Sequence, residues 1–121
     1  MPVTDFQPVH LSGSTDGNPI NVTATSIGTP TTIHTAVTGT ASFDEVTLFV
    51  SNLDSSVRTL TLALGGVADP GNLLCKAVPI PANSAPIPII VGLRMNNGDV
   101  LAAAADTTAL LNITGVVNRM S

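Results

Sequence analysis

Apolar and polar residues alternate along most of this chain. In residues 43–51, Phe43, Glu45, Thr47, Phe49 and Ser51 share one face of an extended segment, and Val46, Leu48 and Val50 share the other. Successive strand side chains point to opposite faces, so a period of two predicts a half-buried strand. Residues 57–64 repeat the pattern, with Leu60, Leu62 and Leu64 against Thr59, Thr61 and Ala63. The Asn52-Leu53-Asp54-Ser55-Ser56 connection is of hairpin length. The two segments are therefore expected to pair as a hairpin, leucines and valines inward and threonines outward. Residues 20–27 alternate as well, with Ile20, Val22 and Ala24 opposite Asn21, Thr23 and Thr25. Gly28-Thr29-Pro30 ends that strand, and residues 32–37 form a further β-branched run.

In residues 73–120, short apolar runs are separated by turn residues at regular intervals, which predicts hairpin-like units in a small antiparallel sandwich or barrel. Pro79, Pro81, Pro86 and Pro88 crowd one connection. Proline has no backbone donor, so these positions belong to edges, bends or strand ends, and the spacing of Pro86 and Pro88 suits an edge strand. Asn96-Asn97-Gly98 supplies the positive φ angles of a tight turn. Residues 100–111 admit a helix, with Asp99 as N-cap and Leu101, Ala104, Ala105, Thr108 and Leu111 on one face. Asp106-Thr107-Thr108 interrupts that run and clean alternation follows it, which favours two strands and a turn. About eight strands and no secure helix are expected.

Residues 1–19 carry Pro2, Pro8, Pro19 and a Ser/Gly/Asn-rich cluster. They read as an extended N-terminal arm, either frayed or ordered on a neighbouring subunit, with Phe6, Val9 and Leu11 as its apolar docking groups. Residues 20–121 then form a single domain, since a chain of 121 residues holds one core.

Composition sharpens the picture. The chain has only three aromatic residues, all Phe, so the core must be built from Val, Leu, Ile and Ala. Charged residues are 10% of the chain, against about 25% in an ordinary soluble domain. So neutral a surface costs little to desolvate and favours extensive contact with other protein. The four basic residues, Arg58, Lys76, Arg94 and Arg119, are scattered in a chain of net charge −4. Nothing there tracks a phosphate backbone, so nucleic-acid binding is not expected. No apolar run reaches the roughly 20 residues of a membrane helix, and residues 1–10 lack the basic and apolar regions of a secretory leader. Synthesis in a cytoplasm without membrane association is the expectation.

The reactive side chains are isolated. Cys75 lies in an apolar run and reads as a buried, inert thiol. His10 and His34 have no ligand spacing with each other or with Cys75. Asp44 and Glu45, neighbours in a strand, point to opposite faces and cannot share a proton. Neither a nucleophile elbow nor a phosphate or calcium loop is present. Catalysis, cofactors and metals are not expected.

Asp44-Glu45-Val46-Thr47-Leu48-Phe49-Val50-Ser51-Asn52 leads into Arg58-Thr59-Leu60-Thr61-Leu62 and Gly65-Gly66. Ile80-Pro81-Ala82, Gly92-Leu93-Arg94-Met95-Asn96-Asn97-Gly98, Ala102-Ala103-Ala104 and Ile113-Thr114-Gly115-Val116-Val117-Asn118-Arg119 follow. Across residues 32–120 this resembles the small all-β virion proteins of tailed bacteriophages, and among them the capsid decoration (cement) proteins. The resemblance implies an antiparallel, jelly-roll-like sandwich and a place on the outer capsid surface. Its implied partners are the major capsid protein and further copies of the chain, most often in a trimer. It carries no catalytic residues. On this reading Arg94, Arg119 and the arm are the expected partner contacts. The alternative is a tail, neck or baseplate binding module. Sugar recognition weakens that alternative, because sugar sites use aromatic platforms and the chain has no Trp or Tyr.

Overall fold

A computed structural model of the chain describes residues 6–121. Residues 1–5 of the expected arm lie outside the described residues. Among the described residues there are nine strands: β1 (Phe6–Val9), β2 (Ile20–Asn21), β3 (Thr31–Thr35), β4 (Phe43–Asn52), β5 (Arg58–Leu64), β6 (Leu73–Ile80), β7 (Ser84–Met95), β8 (Val100–Ala105) and β9 (Leu111–Met120). They form two antiparallel sheets. The first runs β1-β9-β4-β7, with β2 also paired to β9, and the second runs β3-β8-β5-β6. From β2 onward every connection except β5 to β6 crosses between sheets, which is the jelly-roll path.

That path corrects the expected pairings. Strands β4 and β5 do not form a hairpin: β4 pairs with β7 and β9, and β5 with β6 and β8. The units expected in residues 73–120 are likewise strands without hairpins, because β6 to β9 alternate between the sheets. Alternation requires one dry face per strand, and a strand in the opposite sheet meets that requirement as well as a neighbour in the same one. The expected strand over residues 20–27 is cut to Ile20–Asn21. Beyond it Val22 bonds to Leu111 and Ala109, while the Ala24 carbonyl accepts from Ala105, so the segment is leaving one sheet for the other. Residues 100–111 resolve as β8, a turn and the start of β9, without a helix.

The prolines fall as their chemistry demands. Pro8, Pro79, Pro86 and Pro88 all lie in edge strands β1, β6 and β7. Of the other edge strands, β2 is only two residues long, and β3, which has no internal proline, is covered instead by residues 12 and 13. Gly13 donates to the Ile33 carbonyl at 2.9 Å, and Thr35 donates to Ser12 Oγ at 2.6 Å. Gly13 lies so close that any Cβ would strike the carbonyl oxygens of Thr32 and Ile33.

Between the sheets lies an aliphatic core without aromatic rings. Val46, Leu48 and Val50 of β4 face Leu60 and Leu62 of β5, with Ile33, Leu101, Leu111, Ile113 and Val117 around them. Alanines 102–105 are all buried, so small side chains line the strand that runs between β3 and β5. Asn52 is one of the few polar residues inside. Its Nδ2 donates to the carbonyls of Ser56 and Ile80, its Oδ1 accepts from Asp54 N–H, and its own N–H donates to Ser84 Oγ. One side chain thus ties the β4–β5 corner to the β6–β7 corner.

Two stability measurements follow. Leu48→Ala, at a fully buried site, is expected to cost about 3 kcal/mol, while Leu53→Ala, at a residue 59% exposed in the adjoining corner, should cost less than about 0.5. Asn52→Ala leaves the Ile80 carbonyl without its donor and is expected to cost about 2 kcal/mol. Urea unfolding followed by circular dichroism reads all three.

Candidate functional site: the outer face of the first sheet and a buried polar relay

The two faces of the first sheet are distinguished by its registers. Phe6 on β1 is opposite Met120 on β9, which is opposite Phe43 on β4. Two rungs on, Glu45 pairs with Asn118 and Arg94, and further along Phe49 pairs with Thr114 and Pro88. The core-facing partners on β4 are Asp44, Val46, Leu48, Val50 and Asn52, all buried. All three phenylalanines therefore stand on the outer face, away from the core. Phe6 is 59% exposed, Val116 56% and Val91 77%. Arg94 lies over the Phe43 ring, 4.8 Å from its centroid, and 3.9 Å from Glu45. A cleft of about 390 Å³ runs beside β9, lined by Pro8, Val9, His10, Gly115, Val116 and Val117.

This face is thinly charged. Lys76 pairs with Asp69 at 2.8 Å and Arg58 with Asp54 at 2.7 Å, both away from it, so each of the four basic residues meets a carboxylate. The bond from Arg58 holds the Asp54 carboxyl below its ordinary value. No unpaired basic patch forms that would follow a phosphate chain.

The expected contact residues divide. Phe6 is presented to solvent, and Arg94 is largely exposed on the same face. Val9 leans on the core and Leu11 is inside it, with Gly115 beneath, where a Cβ would strike the Thr47 carbonyl oxygen and crowd Leu48 and Leu11. Arg119 points inward. Its Nε donates to Asp44 Oδ1 at 2.8 Å and its Nη2 to Oδ2 at 3.0 Å.

Asp44 is the centre of a relay that periodicity alone did not reveal. It is fully buried, and Oδ2 also accepts from His34 Nε2 at 2.7 Å and from Val37 N–H at 3.1 Å. On the far side of the ring, Ser12 N–H donates to His34 Nδ1 at 3.0 Å. Nδ1 is thus the acceptor, which assigns the proton to Nε2. Burial opposes ionisation of Asp44, but the hydrogen bonds from Arg119 and His34, the Arg119 charge and the Val37 amide together outweigh it. The carboxyl is held below its usual value, and Arg119 is raised by the same bond. The only sequence signal was the position of Asp44 on the apolar face of an otherwise alternating strand.

Ser12, His34 and Asp44 have the composition of a hydrolytic triad without its geometry. The serine's backbone N–H, not its hydroxyl, meets the imidazole, and Oγ is engaged by Thr35 N–H. Cys75 is half-buried against the core, and burial pushes its thiol up, away from the thiolate form. No cluster of three or more metal-ligating side chains occurs among the described residues. Glu45 lies on the opposite face of β4 from Asp44.

Neither a scan of protein-family models nor a search of curated proteins gives a match to this chain.

The relay makes stability depend on acid. The folded Asp44 carboxyl lies below the unfolded value of about 3.9, so its contribution is complete above that value and is lost as pH falls through the folded one. Between about pH 5 and pH 2 the wild type is expected to lose more stability than Asp44→Asn. Arg119→Met, which leaves the carboxylate buried without its cation, is expected to cost about 3 kcal/mol at neutral pH. Denaturant titrations across the pH series measure both.

Proposed function

We propose that the chain is a non-catalytic structural protein of a tailed-bacteriophage particle, a head decoration protein that adheres to the outer capsid surface. The carrying observation is the outer face of the first sheet. A protein with three aromatic residues leaves all of them outside its core, beside Met120, Val116 and Val91. Apolar side chains gathered on one flat, nearly uncharged face are what adhesion to another protein needs. The jelly-roll path and the resemblance over residues 32–120 support the same reading. Contact through faces fits better than contact through strand edges. Three edge strands carry prolines, β2 is only two residues long, and β3 is covered by residues 12 and 13.

Adhesion of this kind works by repetition. Each contact is weak, but copies related by the shell's symmetry hold neighbouring coat subunits at high effective concentration. Further copies of the chain, as a trimer, and the major capsid protein are the proposed partners.

Copy number in purified virions tests the placement. Quantitative mass spectrometry is expected to find the chain in hundreds of copies per particle, near the stoichiometry of the coat. A dozen or fewer would place it at the tail, neck or baseplate instead. Phe6→Ser with Val116→Glu is expected to reduce retention on purified capsids at least about tenfold while leaving the circular dichroism spectrum unchanged. Undiminished retention would remove this face from the interaction.

A further inference from the structure

The geometry points to a proton-operated latch, in which protonation of buried His34 frees Ser12 and Gly13 from the flank of β3. Three hydrogen bonds hold that segment down. Ser12 N–H donates to His34 Nδ1 at 3.0 Å, Thr35 N–H donates to Ser12 Oγ at 2.6 Å, and Gly13 N–H donates to the Ile33 carbonyl at 2.9 Å. The first exists only while Nδ1 keeps a lone pair.

The ring has no other way to accept a proton. Nε2 already gives its hydrogen to Asp44 at 2.7 Å, so a second proton must go to Nδ1. There it meets the Ser12 N–H, and two donors cannot share one bond. The ring is 1% exposed, so water cannot serve as acceptor until the segment moves. Turning the ring over exchanges the nitrogens and restores the same conflict. Asp44 does not take up the proton in its place, because Arg119 holds it as the carboxylate with two bonds.

The charges around His34 leave this logic intact. Asp44 of β4 is in direct contact, and Arg119 of β9 acts through Asp44. Strand β8, the neighbour of β3, has no ionisable residue between Val100 and Ala105, and Asp99 precedes it. Glu45 is on the other face of β4. His10 and Asp16 lie on the N-terminal segment itself, His10 beside Gly17.

Opening has a defined product. Leu11 remains anchored in the core, while residues 12 and 13 lift. The flank they leave belongs to β3, a five-residue edge strand without an internal proline, and it presents the Ile33 carbonyl and the Thr35 N–H. An extended strand from another chain is the ligand whose chemistry matches such a flank.

Amide hydrogen exchange on the whole chain tests the latch, with the His34 ring followed by NMR from about pH 8 to pH 4.5. Protection of the Ser12, Gly13 and Thr35 amides, corrected for intrinsic exchange, is expected to fall about tenfold or more as His34 protonates, while β4 and β5 stay protected. His34→Gln supplies an acceptor and a donor that do not titrate, and should keep those three amides protected throughout. If that variant does not fold, the wild-type measurement decides alone. Undiminished protection at Ser12 and Thr35 after His34 has protonated would overturn the latch. So would a ring that protonates only as the whole molecule unfolds.

Discussion

Two buried polar side chains at opposite ends of β4 fix where this chain crosses between its sheets. At one end Asp44 joins β4 to His34 of β3 in the facing sheet and to Arg119 of β9 in its own. At the other, Asn52 binds the carbonyls of Ser56 and Ile80, at the two corners where the chain leaves β4 and enters β7. The aliphatic core between them supplies the driving force, but burial of Leu against Val is nearly indifferent to direction. A buried carboxylate or amide is not indifferent. It costs several kcal/mol if a partner is missing, so alternative crossings that strand Asp44 or Asn52 are disfavoured. The relay need not add net stability to do this. Its effect is to raise the energy of every competing arrangement.

That division of labour explains what was legible in the sequence. The alternation of Val46, Leu48 and Val50 with Thr47 and Phe49 specifies a strand with one dry face, and β4 is such a strand. It carries no information about which strand lies alongside. The five residues after Asn52 have the length of a hairpin loop, yet they turn the chain into the opposite sheet because the Asn52 side chain occupies the corner. Proline was more informative than apolar periodicity here. Pro86 and Pro88 deny β7 donors on one flank whatever its neighbours are, so its edge position could be read directly. The paired bonds of His34 were not readable at all. Ser12 and Asp44 are 22 and 10 residues away from it, in segments of unlike pattern.

The same reasoning separates residues that looked alike in the sequence. Phe6, Val9 and Leu11 are the large apolar residues of one short segment. Phe6 opposite Met120 faces outward, Val9 opposite Val117 faces inward, and Leu11 continues into the core over Gly115. Arg94 and Arg119 are both arginines near the ends of long strands. Arg94 is even-numbered on β7 and registers with the outward Glu45, whereas Arg119 registers with the inward Asp44. Parity on the strand, set by the register, decides whether a side chain is available to a partner or consumed by the fold.

On the proposed reading, a sandwich that adheres to other proteins without aggregating has to keep its strand edges closed while offering a face. Here β1, β6 and β7 are closed by proline, which is a covalent and permanent device. The flank of β3 is closed by hydrogen bonds from a segment whose attachment runs through an imidazole. The substitution of a reversible guard for a permanent one is not required by packing: a proline in place of Thr32 or Thr35 would have blunted the edge just as β1 is blunted. The cost of the reversible arrangement is a buried histidine, a buried aspartate and an arginine drawn in from β9 to neutralise it. A fold that spends two of its twelve charged residues in this way, while its outer face is left almost uncharged, is holding a conditional edge in addition to a constant face.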